Sequence, residues 1–265
     1  MLELLIMFLA LGVAAGLLAG TLGMGGGVVV VPALLMIFPL MDFPSTILAQ
    51  QAVATSLATI VVTSISSIRT HHRLGAVRWP VALPLAGGIL LGAFGGAFFA
   101  SSISSDLLVR LFGIFAIVVS LQMGLRSRRP PVVGAERLPG KAGLMLAGTL
   151  IGTLSSMFGI GGGSLTVPFL SACRLRMQQA VAISAVGGLP IALGGGLGFV
   201  LAGWQHPDLP DGSFGFIYLP AAAGIVLTSF PLARVGARLA HRLPATTLKR
   251  VFAVALFLIG LKLVL

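Results

Sequence analysis

The chain has 265 residues, of which 57% are hydrophobic and 9% charged, with 36 glycines and a mean hydropathy of +1.09. This lies beyond the apolar content of a soluble domain and points to a polytopic helical membrane protein; the alternating ~10-residue segments of a transmembrane barrel do not occur. The net charge of +11 is not a nucleic-acid footprint, because the basic residues are scattered through short loops between apolar stretches, where membrane orientation accounts for them. A single cysteine, Cys173, excludes an internal disulfide and a thiolate metal cage.

In chain order, residues 2–20 form a first apolar span, kept as mature structure because no positive segment precedes it. It runs into the motif Gly-Met-Gly-Gly-Gly-Val-Val-Val-Val-Pro at 23–32. Three consecutive glycines do not continue a helix cheaply, at roughly 1 kcal/mol each relative to Ala; they permit positive φ and close approach of bare backbone. Residues 28–40 follow, too short as a helix for a ~30 Å crossing, and read as a half-helix or one arm of a re-entrant hairpin. Full spans are expected at 46–68, 79–101 and 106–125. The Arg- and Pro-rich stretch 126–141 is the one long polar linker. Beyond it come a span at 142–157, a second glycine motif with a short run at 164–173, and spans at 177–202, 214–238 and 247–265.

The second half repeats the first. Gly-Ile-Gly-Gly-Gly-Ser-Leu-Thr-Val-Pro at 159–168 matches 23–32 at six of ten positions, and Gln-Gln-Ala-Val-Ala-Ile-Ser at 178–184 matches 50–56 at six of seven. Pro84 and Gly88 pair with Pro220 and Gly224, and Arg110 and Phe112 with Arg250 and Phe252. The expected organisation is therefore repeat 1 over 1–125, a cytoplasmic linker over 126–141, and repeat 2 over 142–265. Each repeat holds four full spans plus one broken segment (21–40 and 158–173). Basic loops 69–78, 126–141, 174–176 and 238–250 are assigned to the cytoplasm; 41–45, 101–106 and 203–213 carry no Lys or Arg and are assigned outside. Equivalent loops of the two halves fall on opposite sides, the mark of an inverted-topology repeat, with both chain ends outside. The fold class is all-α and polytopic, with eight full spans and two broken segments.

Irregular backbone inside a bilayer survives only where protein or a watery cavity satisfies it, so the doubled glycine elbow reads as a substrate cavity. A half-helix beginning there presents unpaired N–H groups and a partial positive charge, an anion site that needs no Lys or Arg. Gly25, Gly26 and Gly27, with Gly161, Gly162 and Gly163, supply it. Ser164 and Thr166 add hydroxyls, although Val28 stands where the second motif has Ser164. Gln51, Thr55, Thr59 and Thr63 recur every fourth residue along one helix face, bordered by Ser56; in the second half Gln179 and Ser184 persist. The competing reading of all the glycines is close helix packing, favoured for isolated pairs such as Gly88 with Gly92. No Asp or Glu falls within a span, which argues against a carboxylate proton relay. Arg110, Arg234, Arg238 and Arg250 read as interface and orientation residues. His71, His72, His206 and His241 are expected as solvated loop residues. Cys173 is expected as a buried small residue, with no basic partner to make it a nucleophile. No catalytic group, metal site or cofactor is expected.

With these motifs in place the chain resembles the sulfite exporter TauE/SafE family of membrane transporters. The marker is the doubled Gly-x-Gly-Gly-Gly-x-x-x-Val-Pro with the following Ala-Val-Ala-x-Ser. The resemblance implies secondary transport of a small sulfur-containing anion (sulfite, sulfonate, sulfoacetate or thiosulfate) at a bacterial inner membrane. The expected partners are that anion, the lipid bilayer and, if transport is proton-coupled, a proton carried on the substrate or an interfacial histidine. A homo-oligomer is compatible with the reading and nucleic acid is not. The alternative is a channel-like permeation pathway for an inorganic anion, which the same elbows would line.

Overall fold

The computed structural model describes residues 2–22, 26–126, 136–240 and 245–264. They form the helices α1 (Leu2–Leu22), α2 (Gly27–Ile37), α3 (Leu48–Arg73), α4 (Trp79–Ser102), α5 (Ser105–Arg126), α6 (Lys141–Met157), α7 (Gly163–Ala172), α8 (Met177–Ala202), α9 (Leu219–Ala240) and α10 (Ala245–Val264). A 3₁₀ turn at Phe38–Met41 extends α2, and strands β1 (Ser213–Phe214) and β2 (Ile217–Tyr218) make a small hairpin before α9. Among the described residues the regular structure is helical apart from that hairpin. Among the described residues, Leu48–Arg73, Trp79–Ser102, Ser105–Gln122 and Met177–Ala202 are long and apolar enough to cross a bilayer, and Glu3–Leu17, Gly27–Met41, Gly163–Ala172 and Leu219–Ala233 are shorter apolar helices.

Both short helices have defined starts and stops. The N-caps of α2 and α7 are Gly26 and Gly162. Each helix carries an internal proline, Pro32 and Pro168, which removes one helical hydrogen bond. Each ends on a left-handed residue, Asp42 at φ 56° and Arg174 at φ 63°. Six-to-one bonds close these ends, from Phe43 N–H to Phe38 O at 3.3 Å and from Leu175 N–H to Leu170 O at 3.1 Å, the Schellman pattern.

Glycine-lined crossings bring the long helices together. A side chain at Gly88, Gly92 or Gly96 of α4 would strike the backbone of Met145, Thr149 or Thr153 of α6, and one at Gly148 or Gly152 would strike Leu85 or Ile89 in return. The numbers rise together, so α4 and α6 run parallel, with Thr153 Oγ1 donating to Gly92 O at 3.1 Å. The α1–α9 crossing is built the same way: Gly12 and Gly16 lie against Thr228 and Ser229, and Thr228 Oγ1 donates to Leu9 O at 2.8 Å. Gly188 of α8 lies against Ser64 of α3 and Gly195 against Leu57, so that central pair is antiparallel. The packing role expected of Gly88 and Gly92 is what the structure shows.

The loops sort into two ends. At one, Arg78 Nη1 pairs with Glu136 Oε2 at 2.6 Å and Arg137 N–H donates to Cys173 O at 3.0 Å, joining the 74–78, 136–140 and 173–176 segments. Burial pushes the Cys173 thiol up from its ordinary value. At the other end, Thr46 Oγ1 donates to Asp208 Oδ2 at 3.2 Å, Ser105 Oγ accepts from Ala49 N–H at 3.0 Å, and Gln50 Nε2 donates to Ile103 O at 2.9 Å. The start of α6 and the end of α7 thus sit at the basic end. Phe8 near the start of α1 and Phe43 beyond α2 both touch Tyr218 at the opposite end. Each broken segment returns toward the end from which its helix entered.

Two boundaries differ from the sequence expectation. Helix α3 runs five residues past 68, to Arg73. Helix α9 starts at Leu219 rather than 214 because Gly212 (φ 85°) and Gly215 (φ 55°) fold the preceding apolar run into the hairpin; glycine with positive φ at the first central position is what a tight hairpin turn requires. Gly92→Leu or Gly152→Leu should force α4 and α6 apart at a cost of about 3 kcal/mol, read as a lowered thermal unfolding midpoint in detergent. Gly87→Leu and Gly95→Leu on the open face of α4, where nothing lies within 4 Å, should leave it nearly unchanged.

Candidate functional site: two glycine elbows in contact

The second elbow is defined from residue 155 to 164. Helix α6 ends in a Schellman motif: Ile160 N–H donates to Ser155 O at 2.9 Å and Gly159 N–H to Ser156 O at 3.2 Å, with Gly159 at φ 60°. Positive φ therefore falls on the first glycine of the motif rather than on the triplet. Gly161, Gly162 and Gly163 are all buried. Gly162 adopts helical angles as the N-cap of α7, and a Cβ there would meet Ser184 O at 3.1 Å and Gly187 C at 3.5 Å. Gly162 gives the start of α7 close approach to α8.

The first elbow meets the second. A Cβ on Gly27 would collide with Gly159 O and come within 3.0 Å of Ile60 Cδ1 and 3.1 Å of Ser56 Oγ; one on Gly159 would come within 2.8 Å of Val31 Cγ2 and 3.0 Å of Val53 O. Ser56 Oγ donates to Gly159 O at 2.8 Å, tying α3 of the first half to the elbow of the second. Gly26 caps α2 beside Ala15 of α1, whose Cβ lies 3.3 Å from where a side chain would start. Gly25 lies outside the described residues. Gly159 was missed as a site residue by sequence reasoning, although its place at the head of the repeated motif was visible.

The polar groups around the contact are neutral. Among the described residues, every buried polar side chain is Gln, Ser or Thr. Ser164 is 5% exposed and Thr166 0%, and neither hydroxyl has a hydrogen-bond partner; Ser155 Oγ, two residues before the end of α6, is also buried without one. Ser164 lies in the first turn of α7, where N–H groups lack intrahelical partners and the helix end is partially positive; Thr166 lies just beyond, its N–H donating to Gly162 O at 2.9 Å. Such a set presents donors to an anion and has no cationic side chain to trap it. Ser184 Oγ bonds within its own helix, to Val181 O at 2.8 Å, while its carbonyl faces Gly162.

Of the remaining predicted site residues, Gln51 and Thr55 bond to the hairpin rather than to the elbows. Gln51 is fully buried near the start of α3 and donates from Nε2 to Ser213 Oγ at 3.4 Å; Thr55 Oγ1 accepts the Tyr218 N–H at 3.0 Å. Both are turned to the hairpin. Thr59 and Thr63 bond to carbonyls of their own helix. Gln179 is half-buried near the start of α8. Because α3 and α8 are antiparallel, Gln51 and Gln179 lie near opposite ends of the pair, on the order of 30 Å apart at 1.5 Å per residue. One small ion cannot touch both at once. The hairpin itself was not foreseen.

A glycine-kinked, all-helical bundle of this hydropathy defines a multi-pass membrane protein. Residues 8–263 match the family described as sulfite exporter TauE/SafE, and the chain belongs to that family, one of membrane transporters rather than enzymes. It is 36% identical over 261 residues to a probable membrane transporter protein of Haemophilus influenzae, covering 98% of each chain. A probable membrane transporter protein of Methanocaldococcus jannaschii is 27% identical, covering 99% of this chain and 96% of its own. The Bacillus subtilis probable membrane transporter protein YunE is 25% identical, with 98% and 97% covered. No solved structure gives a significant match.

Ser56→Ala leaves the buried Gly159 carbonyl without its side-chain donor and should cost about 1–3 kcal/mol. Gly159→Ala adds the left-handed strain of an L-residue, about 1–2 kcal/mol, to a contact with Val31 and Val53. Thermal unfolding in detergent should rank wild type, Ser56→Ala and Gly159→Ala in falling order; equal midpoints would show that the elbow contact is not structural.

Proposed function

We propose that this protein is a secondary transporter of a small sulfur-containing anion, of the sulfite, sulfonate, sulfoacetate or thiosulfate class, working by alternating access in a bacterial inner membrane. The anion is held where the two elbows meet, by the α7 N-terminus with Gly162, Gly163, Ser164 and Thr166, and by the backbone at Gly26 and Gly27. The observations that carry this reading are the contact of Gly27 with Gly159, four residues before α7 begins, and the buried, partnerless Ser164 and Thr166 hydroxyls within α7. The site is unequal: at the positions of Ser164 and Thr166 the first half has Val28 and Val30, both buried. The second elbow donates the hydrogen bonds and the first supplies an apolar wall.

The transport cycle rests on two inverted repeats, 1–125 and 142–265, with eight spans and two broken segments. Supporting this, exchanging α1–α5 for α6–α10 carries the packing onto itself: α1–α9 becomes α6–α4, α2–α3 becomes α7–α8, α3–α9 becomes α8–α4, and the pairs α3–α8 and α5–α10 map onto themselves. The antiparallel α3–α8 pair is what inversion demands. The end holding Arg69, Arg73, Arg78, Arg137, Lys141, Arg174 and Arg176 is assigned to the cytoplasm, and the end holding Asp42, Asp106, Asp208 and Asp211, with both chain termini, to the periplasm. Buried carboxylates are absent among the described residues, so if transport is proton-coupled the proton rides on the substrate, as bisulfite in the case of sulfite, or on an interfacial histidine.

A thermal-shift screen of purified protein against sulfur oxyanions and sulfonates should find stabilisation by at least one of them. Ser164→Ala and Thr166→Val should each weaken binding about tenfold, the loss of one hydrogen bond to a charged group. Gly162→Leu should abolish transport in protein that still reaches the membrane. Wild-type affinity in both hydroxyl variants would remove the second elbow from the site.

A further inference from the structure

We propose that the hairpin between α8 and α9 is a latch that closes the route to the elbows from the aspartate-bearing end, and that its bonds to α3 break and reform in each transport cycle. This rests on the transport reading above. The hairpin has two unlike attachments. One is to its own half of the chain: the Gly215 backbone is pressed against Val200 with no room for a side chain, Phe216 N–H donates to Phe199 O at 3.5 Å, and the Phe216 ring packs edge-on to Phe199 at 6.3 Å. The other is to the opposite half. Tyr218 N–H donates to Thr55 Oγ1 at 3.0 Å, Gln51 Nε2 donates to Ser213 Oγ at 3.4 Å, and just upstream Thr46 Oγ1 donates to Asp208 Oδ2 at 3.2 Å. The Tyr218 ring stands edge-on to Phe8, Phe38 and Phe43, at 6.3, 5.9 and 5.0 Å.

The first attachment is backbone against backbone and fixes the hairpin to α8. The second consists of single neutral or exposed hydrogen bonds and edge-to-face rings, contacts that separate without leaving a buried charge behind. Apart from the Phe8 ring, which sits on the α1–α9 pair, its members join residues 38–55 to residues 208–218, and these are the contacts that must part for this end to open. It also lies directly above the elbows: Thr55 precedes Ser56, which holds Gly159. The device is built at one end only. The corresponding connection of the first half, between α3 and α4, spans residues 74–78 with no strand. Accordingly Gln51 is 0% exposed beneath the hairpin, while its repeat partner Gln179 is half-buried at the other end. Gln51 and Thr55 are therefore latch residues, and their polar groups serve gating rather than holding the ion.

The test uses the full chain in right-side-out vesicles, with Cys173→Ser as parent and radiolabelled sulfite and methanesulfonate as probes. Thr46→Cys/Asp208→Cys places two thiols across the latch, where external Cd²⁺ bridges them; unlike a disulfide, the bridge resists sulfite, and EDTA removes it. A deeper pair, Gln51→Cys/Ser213→Cys, is read the same way, and bridging is verified by loss of maleimide labelling. Micromolar Cd²⁺ should cut flux at least tenfold in the double variants, with recovery in EDTA and no effect on the single variants. Full flux in protein whose thiols are shown to be bridged would overturn the latch. Absence of flux for both probes in the untreated parent would instead count against the transport reading itself.

Discussion

The arrangement depends on a contact that only bare backbone permits. The carbonyl of Gly159 occupies the space where a side chain of Gly27 would begin, and the Ser56 hydroxyl holds that carbonyl in place. The start of α2 is thereby fixed against the turn that ends α6 and leads into α7. A methyl group on either glycine would separate the start of α2 from the turn that ends α6. The glycines are thus an anchoring device first, and the polar helix ends they bring together follow from it.

Around this contact the walls are rigid and the seal is not. The α4–α6 and α1–α9 crossings bring backbones together through glycine and tie them with one threonine each, Thr153 and Thr228. Such interfaces suit pairs that move as units, since any slide forces a carbonyl into a Cα. By contrast, Gln51, Thr55 and Tyr218 meet through replaceable hydrogen bonds and ring edges. Each rigid pair joins a helix from each half of the chain, so the separable seam does not follow the division between the halves.

Much of this was legible in the sequence. Hydropathy and the doubled motif located the helices, their breaks and the two short segments, because apolar length and glycine punctuation act locally. The loop charges sorted the connections into the same two ends that Arg78–Glu136 and Thr46–Asp208 join. What was not legible depended on neighbours. The run at 214–218 is as apolar as a helix start, and only the positive φ of Gly212 and Gly215 turns it into a hairpin. The triplets drew attention from Gly159, which makes the turn. Gln51 and Gln179 are equivalent in sequence, yet the antiparallel packing of α3 and α8 puts them at opposite ends, so equivalence did not mean proximity. Gln50, beside Gln51, proved to clamp the α4–α5 turn through Ile103 O.

The most direct measurement of the central claim is an anomalous-scattering structure of the protein with selenite, a heavier oxyanion of sulfite shape. The account predicts a selenium peak at the meeting of the two elbows, with its oxygens within hydrogen-bonding distance of the first N–H groups of α7 and the Ser164 hydroxyl. Selenium found only at the arginines of the basic end, with the elbows closed on each other and unliganded, would contradict it.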